Sequence, residues 1–244
     1  MPETEQVTTP QPAALKLYWV GGAKGGVGKS IVAMALLDYL ITLGMSPLLV
    51  ETDTANPDVF KSYGELVETV QLDLDTRDGW IALLTLCEQA TRPVVINTGS
   101  RNSAAVARFA DLFQLGLDDL AAELVALWVI NEQRDSLELL RQFRSALPSV
   151  RVHVLRNQHC APSFPLYDQS NLRQEIETNS GLSLTFPDLA GRVTRELYDR
   201  RLTLMAAERE MPFGNRIELK RWRQAAKQVF SQVVVAASAG GPAK

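Results

Sequence analysis

Short runs of apolar residues alternate with stretches of helical periodicity along almost the whole chain. Uninterrupted apolar runs of this length are typical of parallel strands that are buried on both faces. Amphipathic stretches at 30–43 and 135–146 predict helices between such strands. The predicted strands cover 15–21, 46–50, 93–96, 123–130, 150–155 and 182–186. Because parallel strands need right-handed crossovers, the pattern predicts an α/β fold with a three-layer, doubly wound, mostly parallel sheet.

Composition and linker content favour one domain. The chain has 244 residues, of which 46% are hydrophobic and 22% charged, and no Gly/Ser-rich or Pro-rich linker divides it. We expect a single domain over 15–238, with disordered tails at 1–14 and 239–244. The first segment lacks the features of a signal peptide, and no apolar run reaches the roughly 20 residues of a membrane span. Two cysteines in unrelated contexts predict neither a disulfide framework nor a zinc cluster, so we expect a reduced, cytoplasmic, soluble protein.

The glycine-rich segment after the first strand, GGAKGGVGKS at 21–30, carries the main chemical signal. Its glycines let backbone N–H groups turn towards phosphate oxygens, and the helix that follows adds the positive end of its dipole. Lys29 supplies a charge for the β- and γ-phosphates, and the Ser30 hydroxyl is a ligand for Mg²⁺. The usual first glycine is replaced by Ala23. The predicted nucleotide-binding residues here are Ala23, Lys24, Gly25, Gly26, Val27, Gly28, Lys29 and Ser30.

Lys24 precedes the glycines and makes the segment KGGVGKS a "deviant" Walker A motif. Through this motif the chain resembles the ParA/MinD family of P-loop ATPases, most strongly over 15–60. The resemblance implies a P-loop NTPase fold, binding of ATP and Mg²⁺, and a homodimer that forms on ATP binding. It also implies that Lys24 reaches the phosphates of the partner subunit, so Lys24 and Lys29 are both predicted to be catalytic. The loop and the segment at 51–53 resemble plasmid-borne members tied to stability or conjugative transfer, the TraL- or StbB-like branch.

The second strand runs into Glu51 and Asp53, which match the family's switch I. Carried over, Asp53 is the predicted hydrolytic and metal-binding acid, and Glu51 is a supporting acid. A carboxylate near Mg²⁺-ATP is electrostatically favourable, whereas one buried without a cation is costly. The alternative that Asp53 and Asp58 cap the turn at 56–57 stays open.

The third strand ends in Asn97, where the family carries its Walker B acid. An amide can orient a water bound to Mg²⁺ but cannot attract the cation by charge. Asn97 is therefore the third predicted metal-site residue, after Ser30 and Asp53, and slow ATP hydrolysis is expected. Replacing Asn97 by Asp should raise the basal rate. The opposite outcome stays open, because an added acid beside Glu51 could misplace Mg²⁺.

The resemblance also points to two residues for the base of the nucleotide. Asn157 ends the fifth strand, and its amide suits the paired donor and acceptor of the adenine edge. Pro187 follows the sixth strand and matches the family's second adenine wall. His153 lies within a strand pattern without further ligands at metal spacing, so packing is expected there. For Trp222, a core or interface position is the default.

The carboxyl-terminal segment at 216–237 combines apolar residues at helical spacing with a cluster of cations. The cations are Arg216, Lys220, Arg221, Arg223 and Lys227. One interpretation packs the apolar face on the sheet and leaves the cations solvated. The alternatives are nonspecific DNA binding, which would weaken as salt rises, or docking on an anionic membrane. The net charge of −3 argues against a globally basic protein but leaves a local patch open.

The sequence therefore predicts an ATP-dependent dimerising switch in plasmid or DNA partition, stability or conjugative transfer, with DNA or an adaptor protein as partner. The first alternative is a nucleotide-sensing interaction protein that binds ATP and barely hydrolyses it. A small-molecule kinase is disfavoured, because Lys24 marks the dimerising class and no phosphoacceptor signature is visible.

Overall fold

A seven-stranded parallel sheet organises the computed structural model, which describes residues 14–22, 25–100 and 102–239. The strands are β1 (Lys16–Gly22), β2 (Leu48–Glu51), β3 (Thr69–Gln71), β4 (Val94–Asn97), β5 (Glu123–Ile130), β6 (Arg151–Asn157) and β7 (Ser183–Phe186). Their order is β3-β2-β4-β1-β5-β6-β7, and every neighbouring pair is parallel. Strand β1 is central, with β2, β3 and β4 on one side of it and β5, β6 and β7 on the other, so the end of β1 lies at the topological switch point where ligands bind in such sheets.

Helices cover both faces of this sheet. They are α1 (Lys29–Thr42), α2 (Asp58–Tyr63), α3 (Arg77–Gln89), α4 (Asn102–Asp119), α5 (Arg134–Ala146), α6 (Pro165–Asp168), α7 (Asn171–Thr178), α8 (Gly191–Asp199), α9 (Leu204–Glu210) and α10 (Phe213–Ala239). None of the helices in the described part of the chain is both long and apolar enough to cross a bilayer.

Two hydrophobic cores flank the sheet, and β1 feeds both through the alternation of its side chains. Tyr18 and Val20 join the core that α1 and α10 cover, whereas Leu17 and Trp19 join the core under α3, α4 and α5. In the second core, Trp19 stacks on Trp80 with ring centroids 6.0 Å apart. Burial on both faces explains why the central strands appear as continuous apolar runs.

The predicted α/β class and the doubly wound parallel sheet are confirmed. The prediction missed β3, a three-residue edge strand that is only partly buried and has no apolar run. The predicted tails at 1–14 and 239–244 lie outside the described residues except for residues 14 and 239. The boundaries of a single domain over 15–238 stay a prediction.

Candidate nucleotide-binding site

The glycine loop lies between the end of β1 and the start of α1, and its backbone conformation depends on glycine. Gly26 and Gly28 have φ angles of 86° and 95°, which L side chains rarely adopt. A Cβ built on Gly25 or Gly26 would meet no atom of the described residues within 4 Å, so this side of the loop is open. The N-cap residue of α1 is Gly28, which has no side chain that could accept a hydrogen bond from the first-turn N–H groups. Such a loop has room and donors for an anion.

A cleft of about 340 Å³ opens in front of this loop. Its lining includes three of the predicted side chains at the phosphate end, Lys29, Ser30 and Asp53, and both of those at the base end, Asn157 and Pro187. The structure thus brings Gly25, Gly26 and Gly28 of the loop to the same cavity as these side chains, whereas the predicted Val27 is buried in the core and does not line it. Ala23 and Lys24 lie outside the described residues, so the predicted roles of these two stay predictions.

Lys29 is buried at the start of α1, and burial lowers the pKa of its ammonium group, an effect that the nearby negative charge of Asp53 opposes. An anion in the cleft would act in the same direction as Asp53 and favour the charged lysine. The arrangement therefore suits a phosphate-binding lysine.

Asp53 combines the two interpretations that the sequence left open. Its Oδ1 accepts a hydrogen bond from the Asn56 N–H over 3.1 Å, so it does cap the turn after β2. It also lines the cleft together with Asp58, whose Oδ2 accepts from Asn56 Nδ2 over 2.7 Å. The cap orders switch I and leaves Asp53 facing the site.

Asn97 does not line the cleft; it is fully buried beside Glu51. The two residues are opposite each other in the β2–β4 register, and Asn97 Nδ2 donates to Glu51 Oε1 over 2.8 Å. The same Oε1 accepts the Asp53 N–H over 3.0 Å, and Oε2 accepts the Phe60 N–H over 3.3 Å. Burial raises the pKa of Glu51, and these three hydrogen bonds oppose the rise. Asn97 Oδ1 has no hydrogen-bond partner among the described residues.

This contact changes the expectation for Asn97→Asp. An aspartate at position 97 would place a second carboxylate at hydrogen-bond distance from Glu51, where both cannot stay ionised at low cost. The structure therefore favours the alternative in which the added acid disturbs the site.

At the end of the cleft where the nucleotide base is expected, Asn157 also makes hydrogen bonds within the protein. Its Nδ2 donates to the Val27 carbonyl oxygen of the glycine loop over 2.8 Å, and its Oδ1 accepts the His159 N–H over 3.1 Å. A Cβ on Gly28 would lie 2.4 Å from Asn157 Nδ2, so the glycine also permits this contact. Asn157 lines the cleft and is also tied to the loop, so its predicted contact with the adenine edge stays a prediction.

Pro187 lines the cleft as predicted, and the sequence missed the residue that supports it. The Pro187 carbonyl oxygen accepts a hydrogen bond from Trp222 Nε1 of α10 over 2.8 Å. Trp222 packs edge-on against Phe186, with ring centroids 5.7 Å apart, and itself lines the cleft. The contact joins residues that are 35 positions apart. Only the sequence periodicity of α10 indicated that Trp222 faces inwards.

The cation cluster of α10 is not one uniform surface. Arg223 points inwards and donates to both carboxylate oxygens of Asp38, over 2.6 and 3.1 Å, and it also contacts Glu208. Its expected place in a DNA-contacting patch is therefore wrong, because its charge is already neutralised in a largely buried ion pair. Arg221 is exposed and pairs with Glu218 one turn away. Lys220 is exposed, and docking on DNA or a membrane stays a prediction for what remains of the patch.

The sheet, the glycine loop and the cleft at the switch point together define a doubly wound P-loop protein. No family model matches the chain. The chain is 48% identical over 224 residues to protein MobD of Acidithiobacillus ferrooxidans, which covers 91% of this chain and 99% of MobD. It is 28% identical over 150 residues to protein TraL of Escherichia coli, which covers 57% of this chain and 61% of TraL.

Two solved structures support the same fold. MinD of Aquifex aeolicus has a TM-score of 0.52 at 13% identity, over 89% of this chain and 97% of MinD. A Borrelia burgdorferi protein described as a plasmid partition protein, bound to AMPPNP, has a TM-score of 0.55 at 12% identity, over 90% of this chain and 99% of that protein. The chain belongs to the family of protein MobD, and its fold is that of MinD and other P-loop proteins.

Proposed function

We propose that this chain is an ATP-dependent dimerising switch of the ParA/MinD type, with slow ATP hydrolysis. The observation that carries the proposal is the glycine loop, whose open side faces a cleft that Lys29, Ser30 and Asp53 line. Together these groups offer the donors, the positive charge and the oxygen ligands that a nucleoside triphosphate with Mg²⁺ needs. The loop N–H groups and Lys29 bind phosphate oxygens, and the Ser30 hydroxyl and the Asp53 carboxylate are oxygen ligands.

The residues present fit Mg²⁺-ATP, which would supply a polarised γ-phosphate when bound. Backbone N–H groups of 25–30 hold the β-phosphate, and Lys29 neutralises charge that builds up on the phosphates. Asp53 orients the attacking water. Asn97 lies behind the cleft, where its Oδ1 is a buried acceptor without a partner among the described residues and its Nδ2 holds Glu51. The base lies towards Pro187, and Trp222 supports that wall from behind.

Dimerisation is the output of the proposed switch. A second lysine so close to the loop is redundant within one subunit, and a contact from Lys24 to the partner subunit's nucleotide explains its place in the sequence. The proposed role in plasmid partition, stability or conjugative transfer rests on similarity to protein TraL and on the likeness of the fold to the protein described as a plasmid partition protein. DNA or an adaptor protein is the proposed partner, and the cytoplasm the proposed compartment.

A second candidate function has one observation in its favour. Asn97 stands where the family resemblance implies an acid, and it is buried outside the cleft with its Nδ2 engaged by Glu51. A protein that binds ATP and barely hydrolyses it would signal through partner binding alone. Single-turnover hydrolysis of radiolabelled ATP, with and without DNA, separates the two candidates. Phosphate release that DNA accelerates supports the first candidate. The second candidate is supported if neither sample releases phosphate.

Replacing Lys29 tests the nucleotide site itself. Lys29→Ala should abolish detectable binding of Mg²⁺-ATP in calorimetry, because it removes the buried cation that faces the phosphates. Lys220→Ala, which removes the same charge from the exposed side of α10, is the matched control and should bind as the wild type does. Unchanged ATP affinity in Lys29→Ala would show that the glycine loop is not the nucleotide-binding site.

A further inference from the structure

The contact between Glu51 and Asn97 links three parts of the site through one buried carboxylate. Glu51 Oε1 accepts from Asn97 Nδ2 at the end of β4 and from the backbone N–H of Asp53 in switch I. Glu51 Oε2 accepts from the Phe60 N–H at 3.3 Å, inside α2. Both side chains are buried, at 1% and 0% exposure. All three partners of Glu51 are N–H donors, which is the environment that a carboxylate acceptor needs.

We propose that Glu51 and Asn97 act as one acid–amide pair in which Asn97 fixes Glu51 and Glu51 positions switch I, so that Asp53 faces the phosphate end of the cleft. Both are positioning residues, and the proposal rests on the proposed binding of Mg²⁺-ATP. The carboxylate that organises this edge of the sheet comes from β2, and the amide comes from the neighbouring β4.

A specific consequence follows for position 97. An acid there would lie against Glu51 Oε1, the oxygen that also holds the Asp53 N–H, and the repulsion would displace the Glu51 side chain. Removing the Asn97 side chain costs Glu51 one of its three donors and leaves the bonds to Asp53 and Phe60 in place. Asn97→Asp should therefore disturb switch I more than Asn97→Ala does.

A third variant tests the pair itself. In Glu51→Gln/Asn97→Asp the acid and the amide exchange places, and the glutamine NH₂ can donate to the new carboxylate. This exchange removes the acid–acid contact but sets the glutamine NH₂ against the Asp53 N–H, so it should recover only part of what Asn97→Asp loses. Contacting residues of this kind show coupling that separate sites do not.

The readout is the ratio of ATP affinities measured by calorimetry with Mg²⁺ and with EDTA, together with the free energy of unfolding in urea without nucleotide. Asn97→Asp should lower the ratio by about tenfold, Asn97→Ala by less than about threefold, and the double variant should regain at least about threefold over Asn97→Asp. Glu123→Gln is the control, because Glu123 is an acid of the same sheet that pairs with Lys16 and Arg151 at the start of β5. It should keep the wild-type ratio whatever its stability.

Two results would overturn the pair. One is an Asn97→Asp ratio equal to or above the wild type, which would make position 97 a place for an acid. The other is an equal fall in the ratio for Asn97→Asp and Glu123→Gln, which would mean that the Glu51–Asn97 contact affects only the stability of the fold. Wild-type protein that binds no ATP, with or without Mg²⁺, would instead reject the proposed function and this inference along with it.

Discussion

His153 is a fully buried titratable side chain in β6, away from the cleft. Its Nδ1 accepts the Leu182 N–H over 3.1 Å, so the folded protein needs the neutral ring. Burial, with a smaller contribution from the charge of Arg151, lowers the pKa of His153 from 6.5 to about 4. The predicted packing role fits this environment.

The lowered pKa of His153 predicts acid sensitivity. Between pH 6.5 and pH 4 the unfolded chain binds a proton that the folded chain does not, so stability is fully present above pH 6.5 and falls as the pH drops. The loss at pH 4 is about 3 kcal/mol. In His153→Asn, Oδ1 can still accept the Leu182 N–H without titrating. Urea unfolding at several pH values should show a shallower acid slope for this variant, and an unchanged slope would contradict the assignment.

Candidate site residues could be predicted from the sequence where they lie in a single segment. Lys29 and Ser30 follow from the loop motif, and Asp53 follows from its place just after a strand. The Glu51–Asn97 contact could not be predicted in the same way, because it depends on β2 and β4 being neighbours, and 46 positions separate the two residues. The tie between Asn157 and the loop spans 130 positions and depends on the packing of β6 against that loop.

At the scale of elements, α10 is fixed to the P-loop helix α1 by a largely buried ion pair. Arg223 of α10 donates to Asp38 of α1 in a bidentate contact, and its side chain is 10% exposed. Asp38 is 4% exposed. The pair joins the helix that starts at the phosphate loop to the helix that carries Trp222 behind the base wall.

Breaking this pair should destabilise the protein strongly. Arg223→Met leaves Asp38 buried without its main partner, and removal of one member of a buried pair costs about 3–5 kcal/mol. Arg221→Met, two positions earlier on the exposed side of α10, should cost less than about 0.5 kcal/mol. Urea unfolding of both variants at pH 7 measures the difference. Equal losses would mean that Arg223 contributes through packing of its stem alone.

The elements that the sequence could predict are the ones whose burial leaves a pattern. The central strands β1 and β5 are apolar after a charged first residue, and α10 shows its inward face at helical spacing. β3 leaves no such pattern, since it is a three-residue edge strand with one buried neighbour, β2. The cations of α10 look alike in sequence, and only the packing of α1 and α9 separates Arg223 from the exposed Lys220.

At the scale of the whole molecule, the fold concentrates its polar chemistry at the carboxyl ends of β1, β2, β6 and β7. The loop, switch I, and the segments that carry Asn157 and Pro187 all line one cleft. Two helices of one layer serve that cleft, because α1 starts at the phosphate end and α10, packed on the same core, supports the base end through Trp222. A nucleotide in the cleft would therefore contact segments from most of the chain, which is the arrangement that a conformational switch requires.

Sedimentation velocity with Mg²⁺ and AMPPNP tests the proposed switch most directly. Wild-type protein should sediment as a monomer of 26.9 kDa without nucleotide and at twice that mass with the analogue. Lys24→Ala should bind the analogue yet stay monomeric, and Lys29→Ala should neither bind nor dimerise. Wild-type protein that stays monomeric while saturated with the analogue, or a Lys24→Ala variant that dimerises as the wild type does, would contradict the account.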